Sequence, residues 1–144
     1  MKRFSRYVAL LLVLSTLFTV SALAAENNNQ RASNYFSSAN AYLWKTSSTS
    51  FDVWFDVTGV GIMDKIGVSK LVVQKSSDNV NWSNEKTYNM SNYSQMTASS
   101  TGQHSGYVTY NSYDSSYYYR VKATLYAKNS SGTAEYTIYG YFAN

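Results

Sequence analysis

Along most of this chain apolar residues recur at every second position, beginning near Ala41 and continuing almost to the last residue. The segment "FDVWFDV" is the clearest case: Phe51, Val53, Phe55 and Val57 share one side, and Asp52, Trp54 and Asp56 the other. A β-strand turns successive side chains to opposite faces, so this pattern predicts a strand with one core face and one wet face. No window carries the three-and-four spacing of an amphipathic helix over a useful length, and the chain therefore reads as all-β. Before this strand, "NAYLWK" predicts a short edge strand. After it, "GVGIMDKIG" predicts a glycine-punctuated connection. "VSKLVVQK" follows as a strand with Leu71 and Val73 inward, "SSDNVNW" as a tight turn, and "NEKTYN" as the returning strand. "MSNYSQMTASSTGQHSG" has little periodicity and reads as a long loop, after which "YVTY" resumes a strand with Val108 and Tyr110 inward.

The strongest local pattern is the final hairpin, two alternating segments joined at "NSSG". Closing it with Ser130 and Ser131 in the turn sets Lys122 opposite Tyr139, Arg120 opposite Tyr141 and Tyr126 opposite Glu135 on the outer face. On the inner face the same register sets Val121 against Gly140 and Ala123 against Ile138, small against large. Arg120, Lys122, Tyr139 and Tyr141 thus form an outward strip of rings and cations. Such a strip suits glycan stacking or the aromatic and arginine contacts that dominate protein interfaces. A well-paired solvent face is the plainer reading of the same residues. Trp54, between two aspartates, is a second candidate, its plainer reading being cover by the amino-terminal segment.

About seven strands of this spacing predict an antiparallel two-sheet sandwich of immunoglobulin-like kind rather than a closed barrel. The expected core includes Phe51, Val53, Phe55, Leu71, Val73, Val108, Tyr119, Val121, Leu125 and Ile138. A membrane barrel is disfavoured, because Asp52, Asp56, Arg120 and Lys122 occupy faces that lipid would have to cover.

Two resemblances follow from these segments. "YYYRVKA" resembles the F strand of fibronectin type III domains and "FDVWF" their B strand, with Phe55 where those domains carry a core tryptophan. The resemblance implies that Tyr117 or Tyr119 turns its hydroxyl to backbone in the preceding connection, although the family's proline-glycine turn is missing. "MDKIGVSKLVVQKS", "NWSNEKTY" and "YYRVKATLYAKNSSG" are similar to uncharacterised small secreted proteins of Gram-positive bacteria. That likeness implies a fold and a compartment, and no activity.

The amino terminus changes the charge picture. Lys2, Arg3 and Arg6 precede the apolar run Tyr7 to Val20 and the small residues Ala22 and Ala24, the pattern of a secretion signal over residues 1–24. A loose polar leader is expected over 25–40 and the sandwich domain over 41–144. Loss of the three signal cations leaves nine Lys and Arg against eight Asp and Glu, so a formal +4 becomes +1. The remaining cations are scattered, which argues against a nucleic-acid partner. Without cysteine there is no disulfide framework. Without proline one common guard on sheet edges is missing, which leaves pairing between copies open.

Catalytic chemistry finds little support. His104 is the only imidazole and lies beside Ser105 and Gly106 in a segment read as loop. A serine–histidine pair needs a third, orienting partner that the sequence does not supply. One histidine and no thiolate do not make a zinc site. Asp64, Asp78 and Asp114 are candidate calcium ligands by residue type, but no spacing gathers them, and turn-favouring carboxylates explain them more simply. The Asn-x-Ser sites at Asn81, Asn89, Asn92 and Asn129 are ordinary in a chain this rich in Asn and Ser. The expectation is a secreted, extracellular or wall-associated binding or adhesion module without cofactor, its partner a cell-wall glycan or an extracellular protein. The alternative is a self-associating extracellular matrix protein.

Overall fold

The computed structural model describes residues 34–143; the expected signal and most of the leader lie outside them. Among these residues, six strands form one antiparallel sheet: β1 (Phe36–Lys45), β2 (Phe51–Ser76), β3 (Ser83–Asn89), β4 (Thr97–Tyr110), β5 (Tyr118–Asn129) and β6 (Gly132–Gly140). The all-β antiparallel expectation holds. The number of strands differs from the expected seven because β2, 26 residues long, unites two of them. "GVGIMDKIG" is therefore not a connection but the middle of a strand.

Glycine explains both the misreading and the geometry. Against β4, Thr58 pairs with Gln103 and Met63 with Thr101, so β2 carries extra residues across this step and bulges. Gly61 adopts φ +112 there, a left-handed conformation that side-chain-bearing residues rarely take. The bulge changes the strand's neighbours. On one side β2 is flanked by β1 up to Gly59 and by β5 from Lys65, with β6 beyond β5; on the other it is flanked by β4, which continues past the bulge to Gly67, and then by β3 from Lys70. Gly67, at φ +144, lets the chain of Met96 and Thr97 pass close, since a Cβ there would lie 2.2 Å from the Met96 carbonyl oxygen.

Alternation does the rest. Phe51, Val53, Phe55 and Val57 from the first half, and Val68, Leu71 and Val73 from the second, enter one core with Tyr119, Val121 and Leu125 of β5. Val108 and Tyr110 are buried as expected, and Ile138 is partly buried against the same cluster. Phe51 gathers the aromatic end of this core, with the rings of Tyr110, Tyr113, Tyr119 and Phe142 at 5.0, 5.8, 5.4 and 5.3 Å.

Two further segments differ from expectation. Strand β1 starts at Phe36, inside the stretch read as leader. The stretch read as a long loop contains a 3-10 turn at Ser94–Met96, after which β4 runs without interruption from Thr97. His104 is consequently not a solvated loop residue: it lies in β4, its ring 5.6 Å from Phe55 and its Nε2 2.8 Å from the Gln95 carbonyl.

The sheet curls until its ends meet. Leu43 of β1 bridges Phe142 in parallel, with the Leu43 N–H donating to the Tyr141 carbonyl at 2.9 Å and the Ala143 N–H to the Leu43 carbonyl at 3.0 Å. Gly140 makes the approach possible, because a Cβ there would stand 2.2 Å from the Ala41 carbonyl oxygen. Of the two candidate corner tyrosines, Tyr119 is the one whose hydroxyl meets backbone, accepting from the Asp114 N–H at 3.2 Å. Tyr117 is exposed beneath the Lys75 ammonium.

Candidate binding surface

The hairpin register follows the turn chemistry. Asn129 pairs with Gly132, leaving Ser130 and Ser131 as the turn, and Asn129 Oδ1 accepts the Ser131 N–H at 2.8 Å. Lys122 pairs with Tyr139, Tyr126 with Glu135, Val121 with Gly140 and Ala123 with Ile138, all as expected. The Arg120–Tyr141 pairing does not form. The ladder ends at Val121–Gly140, and Tyr141 instead turns its carbonyl to Leu43 of β1.

Freed from Tyr141, Arg120 is clamped elsewhere. Its guanidinium carbon lies 4.2 Å from the Trp82 ring centre and 4.7 Å from that of Tyr139, and its Nε donates to Gln74 Oε1 at 2.7 Å. Gln74 in turn donates to Asn84 Oδ1 at 2.8 Å. A cation with both faces covered by rings holds its neighbours in place more readily than it reaches a ligand. Arg120 therefore braces the strip. Trp82 was not singled out in the sequence, where it sits at the end of a polar turn with no periodicity to mark it.

Trp54 stands in a second array, on the outer face of β1, the first half of β2, and β4. Tyr42, Trp54 and Tyr107 form one cross-strand row, with ring centres 6.3 Å apart for the first pair and 4.7 Å for the second. The rows on either side are Trp44–Asp52–Thr109 and Asn40–Asp56–Ser105. Both aspartates are engaged by β4: Thr109 Oγ1 donates to Asp52 at 2.7 Å, and Ser105 Oγ and Gln103 Nε2 donate to Asp56. Cover for Trp54 thus comes from the flanking tyrosines. The Ser105 hydroxyl points to Asp56 on the outer face while His104 packs on Phe55 inside, so the adjacent serine and histidine do not form a nucleophile–base pair.

The closure of β1 on the end of β6 brings the two arrays together. A groove of about 600 Å³ runs along this junction, with Asn40, Tyr42 and Trp44 on one bank and Tyr139, Tyr141 and Phe142 on the other. Trp44, Tyr139 and Tyr141 are each about half exposed, at 54%, 47% and 53%. Among the described residues, no charged side chain lines the groove. Of the five residues singled out in sequence, Tyr139 and Tyr141 line it. Trp54 sits one ring behind Tyr42, Arg120 braces Tyr139, and Lys122 pairs with Tyr139 in the sheet. Tyr42 and Trp44 were legible only as the polar-phase residues of "NAYLWK". Their partnership with Tyr139 and Tyr141 depends on a junction between the first and last strands that no local pattern encodes.

Among the described residues, no three His, Cys, Asp or Glu side chains gather to hold a metal ion. Compared with protein-family models, curated proteins and solved structures, the chain finds no match.

Proposed function

We infer that this chain is a secreted, non-catalytic binding module that holds a neutral glycan in the groove between β1 and the end of β6. The observation that carries the reading is the convergence of Tyr42, Trp44, Tyr139 and Tyr141 on one uncharged groove. Aromatic rings present apolar faces to the C–H surfaces of a sugar, and their hydroxyl and indole groups meet its polar rim. An uncharged lining matches a neutral ligand better than a phosphate or uronate polymer, which would require cations. A ligand-sized concavity of several hundred Å³ is the usual form of a small-molecule site.

The fold reading belongs with this proposal. The exchange of β1 for β5 along one side of β2, and of β4 for β3 along the other, with β6 outside β5, supports a fibronectin type III-like sandwich in which two strands have merged. Secretion is supported by the charged, apolar and small-residue pattern of residues 1–24. The wall of a Gram-positive cell is the corresponding place of action. Separation of His104 from Ser105 across the sheet, and the bracing of Arg120, support the non-catalytic reading.

Retention of purified residues 25–144 on insoluble neutral polysaccharides and on purified cell wall tests the proposal. Binding that is displaced by soluble neutral oligosaccharide and insensitive to salt is the expected result. Retention only on acidic polymers, abolished by salt, would remove the neutral-glycan reading.

A further inference from the structure

We propose that the outer face of β1, the first half of β2 and β4 binds a glycan bearing free amino groups, a partly de-N-acetylated amino-sugar chain. The proposal rests on the glycan reading above and specifies its ligand. This face holds carboxylates without counter-ions. Its cross-strand rows, from Ser38–Thr58–Gln103 to Trp44–Asp52–Thr109, contain Asp52 and Asp56 and no lysine or arginine. Lys45, next to Trp44, turns instead to Tyr113, its Nζ 5.1 Å from that ring centre. Among the described residues the one ion pair is Lys75–Glu85, and neither aspartate has a cationic partner. Neutral donors hold both in place: Thr109 Oγ1 donates to Asp52 Oδ1, and Ser105 Oγ and Gln103 Nε2 donate to Asp56 Oδ2. Asp52 Oδ2 and Asp56 Oδ1 accept no hydrogen bond among the described residues, and since no buried side-chain oxygen there lacks a partner, both reach solvent. Such an oxygen takes an ammonium N–H in a charge-assisted hydrogen bond.

The rings select the kind of amine. Trp54 lies between the two aspartates in the row Tyr42–Trp54–Tyr107, and a rise of about 3.3 Å per residue sets each aspartate roughly 7 Å to one side of that row. Tyr107 is 46% exposed. Aromatic rings attract a nearby cation, and the C–H surface of a sugar stacks on the same rings. A sugar carrying an ammonium group uses both. In an extended β-linked amino-sugar chain successive rings are turned over, so their amino groups point to alternate sides. Laid along the row, such a chain presents one amine to Asp52 and the next to Asp56. The row begins at Tyr42, on the bank of the uncharged groove, and ends at Tyr107 beside a second groove of about 420 Å³. Acetylated sugars suit the uncharged groove and free amines suit this face, so one partly de-N-acetylated chain satisfies both. A basic peptide matches the carboxylates but not the uncharged groove with which they are continuous.

The test compares the affinity of the purified chain for short N-acetylglucosamine oligomers that are fully acetylated or partly de-N-acetylated. The de-N-acetylated oligomer should bind about tenfold tighter at low salt, as two exposed ion pairs beside rings would supply, and the advantage should vanish as salt rises. Re-acetylating its amines should abolish the advantage with no change to the protein, so this arm needs no variant. Asp52→Asn and Asp56→Asn together should abolish it as well and leave the affinity for the acetylated oligomer unchanged, since an amide oxygen still accepts from Thr109 and Ser105. Equal affinity for the two oligomers overturns this inference and leaves the neutral-glycan reading standing, whereas binding of the de-N-acetylated oligomer alone overturns that reading and keeps this one. A preference that survives in the double variant places the amine elsewhere and overturns the inference. Polylysine binding as tightly as the amino glycan at equal amine concentration does so too, because the face would then belong to a basic protein segment.

Discussion

The hydroxyl of Tyr119 accepts the backbone N–H of Asp114 at 3.2 Å, tying the connection before β5 to a residue buried in the core. Phe51 packs edge-on against the same ring at 5.4 Å, so one side chain serves the core with its face and the loop with its tip. Replacing Tyr119 with Phe keeps the ring and removes only the tip. The expected loss is about 1 kcal/mol, the net contribution of one such hydrogen bond. Tyr117→Phe, exposed on the neighbouring turn, should leave the denaturation midpoint unchanged.

Phe55 is 1% exposed, and its ring fills the space over Gly106 and beside His104. Truncation to Ala should cost about 3–5 kcal/mol, measured by chemical denaturation. A variant melting like the parent would remove Phe55 from the core.

Gly140 sits where β6 crosses β1, and a methyl group there meets the Ala41 carbonyl carbon at 2.5 Å as well as its oxygen. Gly140→Ala should destabilise by about 1–3 kcal/mol through overpacking. Amide exchange at Leu43 should rise more than at Val121, because the Leu43 N–H donates across the junction being forced apart.

Tyr139 and Tyr141 should separate stability from binding. Tyr139 lies under the Arg120 guanidinium, so Tyr139→Ser should lower stability by roughly 0.5–1 kcal/mol as well as weaken glycan retention. Tyr141 makes no such contact and is half exposed, so Tyr141→Ser should leave the Tm unchanged and still weaken retention. Full retention by both variants would show that the groove is not where the ligand sits.

Alkaline stability follows from buried phenols. Burial pushes the Tyr88 hydroxyl from 10.0 up to about 12, with smaller contributions from Tyr93 and Tyr110, and raises Tyr110 and Tyr119 as well. In the unfolded chain these groups ionise near 10, so between about pH 10 and 12 the unfolded state releases protons that the folded state keeps. The stability from these neutral phenols is complete below pH 10 and lost as pH rises through that window. Tyr88→Phe should flatten the decline of Tm in alkali, and an unchanged slope would count against burial of this hydroxyl.

What could be read in the sequence was whatever the chain states locally. "FDVWFDV" and "YYYRVKATLYA" alternate because each lies with one face on a continuous core, and "NSSG" fixes its own register by turn geometry. The part of β4 before Tyr107 escaped notice because its inward positions are not apolar. His104 and Gly106 face Phe55, whose ring occupies the space that large side chains on β4 would have filled. The glycines at 59, 61 and 67 looked like punctuation, yet they permit a bulge within a strand that continues. The groove was least legible, since Leu43 and Phe142 meet only after every intervening strand has been placed.

The continuity of β2 through its bulge also bears on how the molecule can come apart. Strands β1, β3, β4 and β5 all hydrogen-bond to β2, and β6 is attached through β5. A domain whose halves are joined by a flexible loop can let one half open while the other persists, and such partial openings dominate exchange and proteolysis. Here the two halves share a backbone already committed to both ladders, so there is no seam along which either can melt alone. Fraying is left to the hairpin tip at Ser130 and to the outer margins, and everything nearer the spine is lost together or not at all.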